Sequence, residues 1–310
     1  MSNYPFALVQ HGRDVADAKQ HLVNRPFIGW KTKFADEAQY FYPGPQLETA
    51  INTAIAVGEP LLITGETGTG KTQAAYYVAH KLGIESVLHF QVKSDTTARD
   101  LLYHFDAVRY FYEANVRGST KVLDKRDFIE KRPLWLALEA EEPTVLLIDE
   151  IDKAPRDFPN DLLHELDQME FTVPETEQKV TGPANKRPLV FITSNSERRL
   201  PEPFLRRCIY HNIVFTEEIL NRAVEARAAE FGKLPQKFVK LAIERFLALR
   251  ERDDLRKKPS TGELLVWLRI LSLAAQVELQ KLEDTDITKL PYLGALLKDA
   301  QDQRNFDRKL

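Results

Sequence analysis

Residues 61–72 read L-L-I-T-G-E-T-G-T-G-K-T, and no other stretch limits the possible folds of this chain so tightly. A short apolar run bounded by Gly65 has the pattern of a buried strand, and Gly65, Gly68, Gly70, Lys71 and Thr72 then satisfy G-x-x-x-x-G-K-[ST] ahead of a helical segment. The loop from Gly65 through Glu66, Thr67, Gly68, Thr69 and Gly70 can turn successive backbone N–H groups inward around phosphate oxygens. The helix that follows presents the positive end of its dipole to the same anion. Lys71 is expected to reach the β- and γ-phosphates, and the Thr72 hydroxyl to ligate Mg²⁺. The plain alternative, a glycine-rich turn between a strand and a helix, is disfavoured because the strand, the helix and every motif position occur together.

At 310 residues, with 43% hydrophobic content, the chain has material for about two domains and a sizeable core. Lys and Arg total 43 against 46 for Asp and Glu, so the net charge of -3 gives no overall attraction to nucleic acid, and only a local basic groove stays open. One cysteine, Cys208, excludes an internal disulfide, and the first ten residues lack the basic flank and apolar core of a secretory signal. No apolar run approaches the roughly 18 residues of a membrane span, and a cytoplasmic location is expected.

Residues 1–45 mix aromatic and polar residues and are expected to pack as a leader on the domain that follows. Their aromatics either line a base pocket or bury against that domain. Helical spacing predicts a helix over 47–57 stopped by Gly58, then the first strand, a helix over 72–82 stopped by Gly83, and a second strand over 86–92. Residues 94–132 read as a capped helix with an insertion whose 118–120 stretch is a loop, and 133–142 as an amphipathic helix. Residues 144–150, T-V-L-L-I-D-E, put four aliphatics without alternation before two carboxylates, the pattern of a central parallel strand covered on both faces. A helix over 160–169, two short polar strands around a turn within 171–187, a strand over 189–195, a short helix and a fifth strand over 209–215 complete this region. From 216 onward the pattern is helical, over 217–231, 236–251 and 262–280, and the charged segment 281–310 is expected to pack only in part. No internal repeat or low-complexity linker occurs.

The carboxyl end of a strand is where open α/β sheets bind ligands, so Asp149 is expected to hold Mg²⁺ through its hydration shell and Glu150 to orient the attacking water. Asn195, at the end of the next core strand, suits a hydrogen bond to that water or to the γ-phosphate. Arg206 and Arg207 close a short helix before the last strand. There one guanidinium could cross a subunit boundary to a neighbour's γ-phosphate and make hydrolysis depend on assembly. Adjacent arginines are more commonly plain surface charge, and a terminal Asp-Glu pair or an Asn more commonly a cap. Here the complete phosphate loop favours the functional reading.

Taken in order, G-E-T-G-T-G-K-T, V-L-L-I-D-E-I-D-K-A, I-T-S-N and L-P-E-P-F-L-R-R-C resemble the AAA+ ATPases and, within them, the MoxR-type branch, over most of residues 45–275. The resemblance implies an α/β P-loop AAA+ domain with a five-stranded parallel sheet over 46–215, followed by a smaller all-helical lid domain over 216–310. It further implies ATP and Mg²⁺ as ligands, Gly65–Thr72 as Walker A, Asp149 and Glu150 as Walker B, Asn195 as sensor 1, and Arg207 as arginine finger with Arg206 as substitute. Rings, usually hexameric, and chaperone-like action on a protein, frequently one with a von Willebrand factor A domain, are implied as well. The segments 94–118 and 171–187 lie where this branch carries its insertions. One departure concerns sensor 2: at 257–263 the chain reads K-K-P-S-T-G-E with no arginine at the matching position, which leaves Lys258 as the candidate.

Other functions compete with a protein remodeller. A nucleic-acid motor or defence component would use Lys121, Lys125, Arg126, Lys131 and Arg132, but these alternate with Asp124, Asp127 and Glu130 as on a solvated face. A small-molecule kinase would need neither Asn195, the paired arginines nor so large a helical domain, and a scaffold without turnover would not need Glu150.

Overall fold

A computed structural model of the chain describes residues 16–24, 34–116, 123–183, 186–274, 276–284 and 286–307, together with Val9. The predicted loop at 118–120, Lys121 and most of the leader, including its 25–33 stretch, lie outside these residues. The chain divides into two units: 37–215, and 216–310 with which 1–36 is grouped.

Among its described residues the first unit has nine strands: β1 Leu61–Gly65, β2 Val87–Gln91, β3 Tyr103–Phe105, β4 Ile129–Lys131, β5 Val145–Asp149, β6 Glu170–Val173, β7 Gln178–Thr181, β8 Leu189–Ser194 and β9 Ile209–Ile213. Five of them form one parallel sheet in the order β2-β5-β8-β1-β9. Every residue of β5 is buried, which explains its unbroken aliphatic run: successive side chains enter two different cores. Leu146 and Ile148 join Leu62, Val190 and Ile192 against Leu134, Trp135 and Phe158. Val145 and Leu147 join Leu61, Ile63 and Phe191 against the helices Gly44–Val57 and Lys71–Leu82. Ala74, Ala75 and Ala79 make the buried face of the second helix small, so it lies close to the sheet. This is the α/β P-loop fold with a five-stranded parallel sheet that the sequence implies.

Two excursions leave this frame. After β2, Thr97 caps the short helix Ala98–Leu102, with Asp100 Oδ2 accepting from the Thr97 N–H at 2.8 Å. The antiparallel pair β3–β4 then brackets an insertion that contains the helix Ala107–Val116. The second excursion is the hairpin β6–β7, pairing Glu170 with Thr181 and Val173 with Gln178. Both its strands fall within 170–181, whereas the sequence reading extends the pair to 187. The period-2 burial of Phe171, Val173 and Val180 marks them, and Pro183 follows rather than joins the ladder. The predicted helix over 160–169 is two pieces, Phe158–Asp161 and Leu163–Gln168, joined at the buried Leu162.

Among the described residues from 216 onward the second unit is helical, without strands. Thr261–Leu271 is its centre, capped by the reciprocal Ser260–Glu263 box and burying Leu264, Trp267, Leu268 and Leu271. The predicted continuation to 280 is broken at 272–274, and Gln276–Gln280 is a separate helix. The expectation that 281–310 packs only in part is corrected: Leu282, Leu290, Leu296, Leu297 and Phe306 are buried. Their spacing is irregular because short 3₁₀ turns punctuate the stretch before the helix that carries Phe306, so no single period marks the segment. Asp302, fully buried on the helix Ala300–Asp307, accepts the Arg256 and Lys257 N–H groups at 3.0 and 3.1 Å. The bonds tie down the loop that carries the exposed Lys258. Among the described residues no helix is long and apolar enough to cross a membrane.

Candidate nucleotide site

The loop 65–70 leaves β1 and enters the helix Lys71–Leu82 through three glycines with positive φ: Gly65 at 144°, Gly68 at 80° and Gly70 at 94°. At two of them a side chain would force a neighbour to shift. A Cβ on Gly65 would stand 2.7 Å from the Ile213 carbonyl oxygen, and one on Gly70 2.6 Å from the Phe41 ring. Phe41 packs edge-on against Tyr77, so this part of the leader braces the loop from behind. Glu66, Thr67 and Gly68 form the exposed tip, and Thr69 fastens it by donating its hydroxyl to the Glu66 carbonyl at 2.8 Å.

Lys71 is buried, and its Nζ donates to the carbonyls of Gly65 and Glu66 at 2.9 and 2.8 Å. Burial lowers its pKa, and the carboxylates of Asp149, Asp152, Glu150 and Glu66 only partly offset this. The ammonium therefore lies folded across the base of the loop, within reach of an anion cradled there.

Asp149 ends β5 at the same level. Thr72 donates to its Oδ1 at 3.0 Å, Thr193 on β8 donates to Oδ1 at 2.5 Å, and His89 Nε2 on β2 lies 3.2 Å from Oδ2. Burial by itself raises the Asp149 pKa, but the bonds from His89, Thr193 and Thr72 outweigh it and hold the carboxyl below the ordinary aspartate range. Asp149 is thus ionised at neutral pH.

Glu150 turns the chain off the strand in a left-handed conformation, φ 60° and ψ 51°, which costs a non-glycine residue about 1 kcal/mol or more and needs support. The support is Thr193, whose hydroxyl oxygen accepts the Glu150 N–H at 2.8 Å while its proton goes to Asp149. The Glu150 carboxylate then accepts from Asn195 Nδ2 at 3.1 Å, Gln91 Nε2 at 2.7 Å and Lys153 Nζ at 2.5 Å. The buried Asp152 holds Asn195 itself by accepting the N–H groups of Asn195 and Glu197 at 3.2 and 3.0 Å.

Lys71, Thr72, Asp149, Glu150 and Asn195, found from separate stretches of sequence, therefore meet at one end of one sheet. Arg206 and Arg207 stand apart. They follow the short helix Glu202–Leu205, both are exposed, and Arg207 donates Nε to Asp167 at 2.5 Å and Nη1 to the Pro203 carbonyl at 3.0 Å. His89, Gln91, Asp152, Lys153 and Thr193 were not singled out as site residues from the sequence. The signal for Thr193 was present, since a polar residue inside an aliphatic strand next to Asn195 needs a buried partner. His89 and Gln91 depend on the β2–β5 register, which sets Gln91 opposite Asp149 and His89 opposite Leu147.

The site fits a magnesium-bound nucleoside triphosphate. A side chain would clash at the glycines of the cradle, and a lysine and a helix N-terminus converge on it. Among the described residues no cluster of three or more His, Cys, Asp or Glu could hold a metal by itself. Thr72 and Asp149 alone suit a cation that keeps its waters and takes other ligands from phosphate.

Fold and site together define a P-loop nucleotide-binding protein. Residues 60–208 match the family described as AAA domain (dynein-related subfamily). Among solved structures, a protein of Cytophaga hutchinsonii described as a candidate ATPase is 15% identical, with 89% of this chain and 93% of that chain covered at a TM-score of 0.41. No curated protein matches the sequence.

Proposed function

We propose that this chain is a magnesium-dependent ATPase of the MoxR-type branch that works as a ring and couples its cycle to remodelling or activating a protein partner. The observation that carries hydrolysis is the hydrogen bond from Asn195 Nδ2 to Glu150 Oε1 at 3.1 Å, beside the Thr72–Asp149 pair. A protein that only bound nucleotide would need the second pair and not the first.

In this reading Lys71 and the loop N–H groups bind the phosphates, and Thr72 and Asp149 would hold the cation, which when bound neutralises charge on the phosphate oxygens. Glu150 takes a proton from water as Asn195 orients it, and Arg207 of one subunit serves the site of the next. The MoxR-type assignment is supported by the places of the two excursions, one after β2 and one ahead of β8. A protein partner, one with a von Willebrand factor A domain among the candidates, suits those projecting segments better than DNA does. Three basic residues around the first insertion are paired, Arg126 with Asp124, Lys131 with Glu139 and Arg132 with Glu130, which favours a solvated face over a phosphate track.

Two variants test the proposal. Lys71→Ala is expected to lose nucleotide binding, while Glu150→Gln binds ATP and stops turning it over. Wild-type turnover in Glu150→Gln would remove the assigned role. Phosphate release measured with and without DNA separates the partner classes, because stimulation that fades with added salt would favour a motor. Proteins retained by Glu150→Gln in ATP would then identify the partner.

A further inference from the structure

His89 belongs to none of the nucleotide motifs, yet it lies between two groups of the site. On one side its Nε2 is 3.2 Å from Asp149 Oδ2, and on the other its Nδ1 is 3.0 Å from the Tyr76 hydroxyl, with the two rings edge-on. The Asp149 carboxylate can only accept, so Nε2 carries the proton, and in the neutral imidazole Nδ1 then accepts from Tyr76. Donors run in one direction, from Tyr76 to His89 to Asp149.

Tyr76 stands four residues after Thr72 on the P-loop helix, so the two share a face. That face grips Asp149 twice, directly through Thr72 and at one remove through the His89 ring. The two carboxylate oxygens are served unequally. Oδ1 takes the Thr193 hydroxyl and the shorter of the two Thr72 contacts, while Oδ2 has the His89 ring and the longer Thr72 contact at 3.3 Å. A carboxylate is free to turn about its Cβ–Cγ bond unless both oxygens are held. Thr193 fixes one, and His89 fixes the other.

We propose that His89 is a positioning residue of the cation site: it orients the Asp149 carboxylate and, through Tyr76, ties that orientation to the helix that begins at the phosphate loop. The proposal rests on the magnesium–triphosphate reading above and assigns a new residue to it. His89 touches neither nucleotide nor cation in this role.

The test is binding of a fluorescent ATP analogue to the full chain, in magnesium and again in EDTA. Wild-type protein is expected to bind more tightly in magnesium. His89→Ala should keep its EDTA affinity within about twofold and lose about tenfold of the magnesium-dependent gain, the scale of one hydrogen bond to a charged group. His89→Gln, whose amide can donate to Oδ2 and accept from Tyr76, should recover most of the gain, and Tyr76→Phe should lose about threefold of it. A full magnesium gain in His89→Ala overturns the proposal, as does an equal loss in both buffers, or a glutamine variant no better than alanine. Tyr76→Phe keeps the test decisive if the alanine variant fails to fold, because an unchanged gain there also overturns the proposed relay. If Lys71→Ala retained affinity, the nucleotide reading itself would fall. If Lys71→Ala lost it while His89→Ala kept the magnesium gain, only the role of His89 would.

Discussion

At the carboxyl end of the sheet Asp149 is buried and accepts from Thr72, Thr193 and His89, whereas Arg207, on the turn before β9, is exposed and meets Asp167 and a carbonyl. The first arrangement cannot be taken apart cheaply. A buried charge without partners costs several kcal/mol, so these residues stand assembled within one chain. The second can be exchanged at small cost, because an exposed ion pair contributes roughly 0–1 kcal/mol. If the chain works as a ring, as proposed, the difference would locate dependence on assembly: binding would be built into each subunit, and Arg207 would be held loosely at the surface, where a neighbour's phosphate could replace Asp167.

The largest expected effect breaks the comparison outright. If Arg207 completes a neighbour's site, Arg207→Ala should lower the turnover number by about a thousandfold or more, the scale of a trans-acting arginine, with ATP affinity and melting temperature unchanged. Specific activity of the wild-type protein should rise with its concentration, and a phosphate-release assay at increasing subunit concentration checks both. Full activity in Arg207→Ala would move the role to Arg206 or abolish it.

Next in size is a backbone change on the buried side. Gly65→Ala puts a methyl group 2.7 Å from the Ile213 carbonyl at a φ of 144°, and the two residues are paired in adjacent strands of the sheet. The strain should cost about 1–3 kcal/mol, seen as a lower urea midpoint, and should weaken ATP binding in the same variant. Gly70→Ala carries backbone strain too, at a φ of 94°, but its methyl group meets the edge of the Phe41 ring, which can turn aside, so its loss should be the smaller of the two. Equal losses would mean that Phe41 is as rigid a support as the sheet.

These glycines were legible in the sequence because the phosphate loop is continuous: every residue of the cradle is a neighbour of the next. Asp149 and Asn195 were legible for a related reason, since each ends an aliphatic run that can only be a buried strand. His89 and Gln91 were not, because neither has a motif and their partners lie about sixty residues away across a strand pairing whose register no local pattern fixes. The ends of the β6–β7 hairpin and the packing of 281–310 were missed for want of a single period. Physical contiguity along the chain separates what could be read from what could not.

An acid titration sharpens the buried side. The carboxyl of Asp149 is held below its ordinary range, so its bonds contribute stability above about pH 4, the usual aspartate value, and lose it as pH falls through the lowered one. Thr193→Val removes the donor to Oδ1 and the acceptor of the Glu150 N–H, and should cost about 1–3 kcal/mol at pH 7. The gap between the two proteins should narrow below about pH 4, as the protonated carboxyl loses its claim on charged-state hydrogen bonds. Urea denaturation at pH 7, 5 and 3.5 measures it. A gap that stayed constant would assign the whole effect to Glu150.

The smallest effect belongs to Asp167. Its pair with Arg207 joins two side chains that are each about a third or more exposed, so Asp167→Ala should change stability by less than about 1 kcal/mol. Its consequence for turnover has the opposite sign to that of Arg207→Ala. If Arg207 serves a neighbour's site, Asp167 competes with that site's phosphate for the guanidinium, and without Asp167 only the Pro203 carbonyl still holds Arg207 before assembly. Half-maximal activity should therefore be reached at a lower subunit concentration, with the plateau unchanged. A lower plateau would show instead that Asp167 aims the guanidinium, and the loose surface contact would then be as much a part of the site as the buried one.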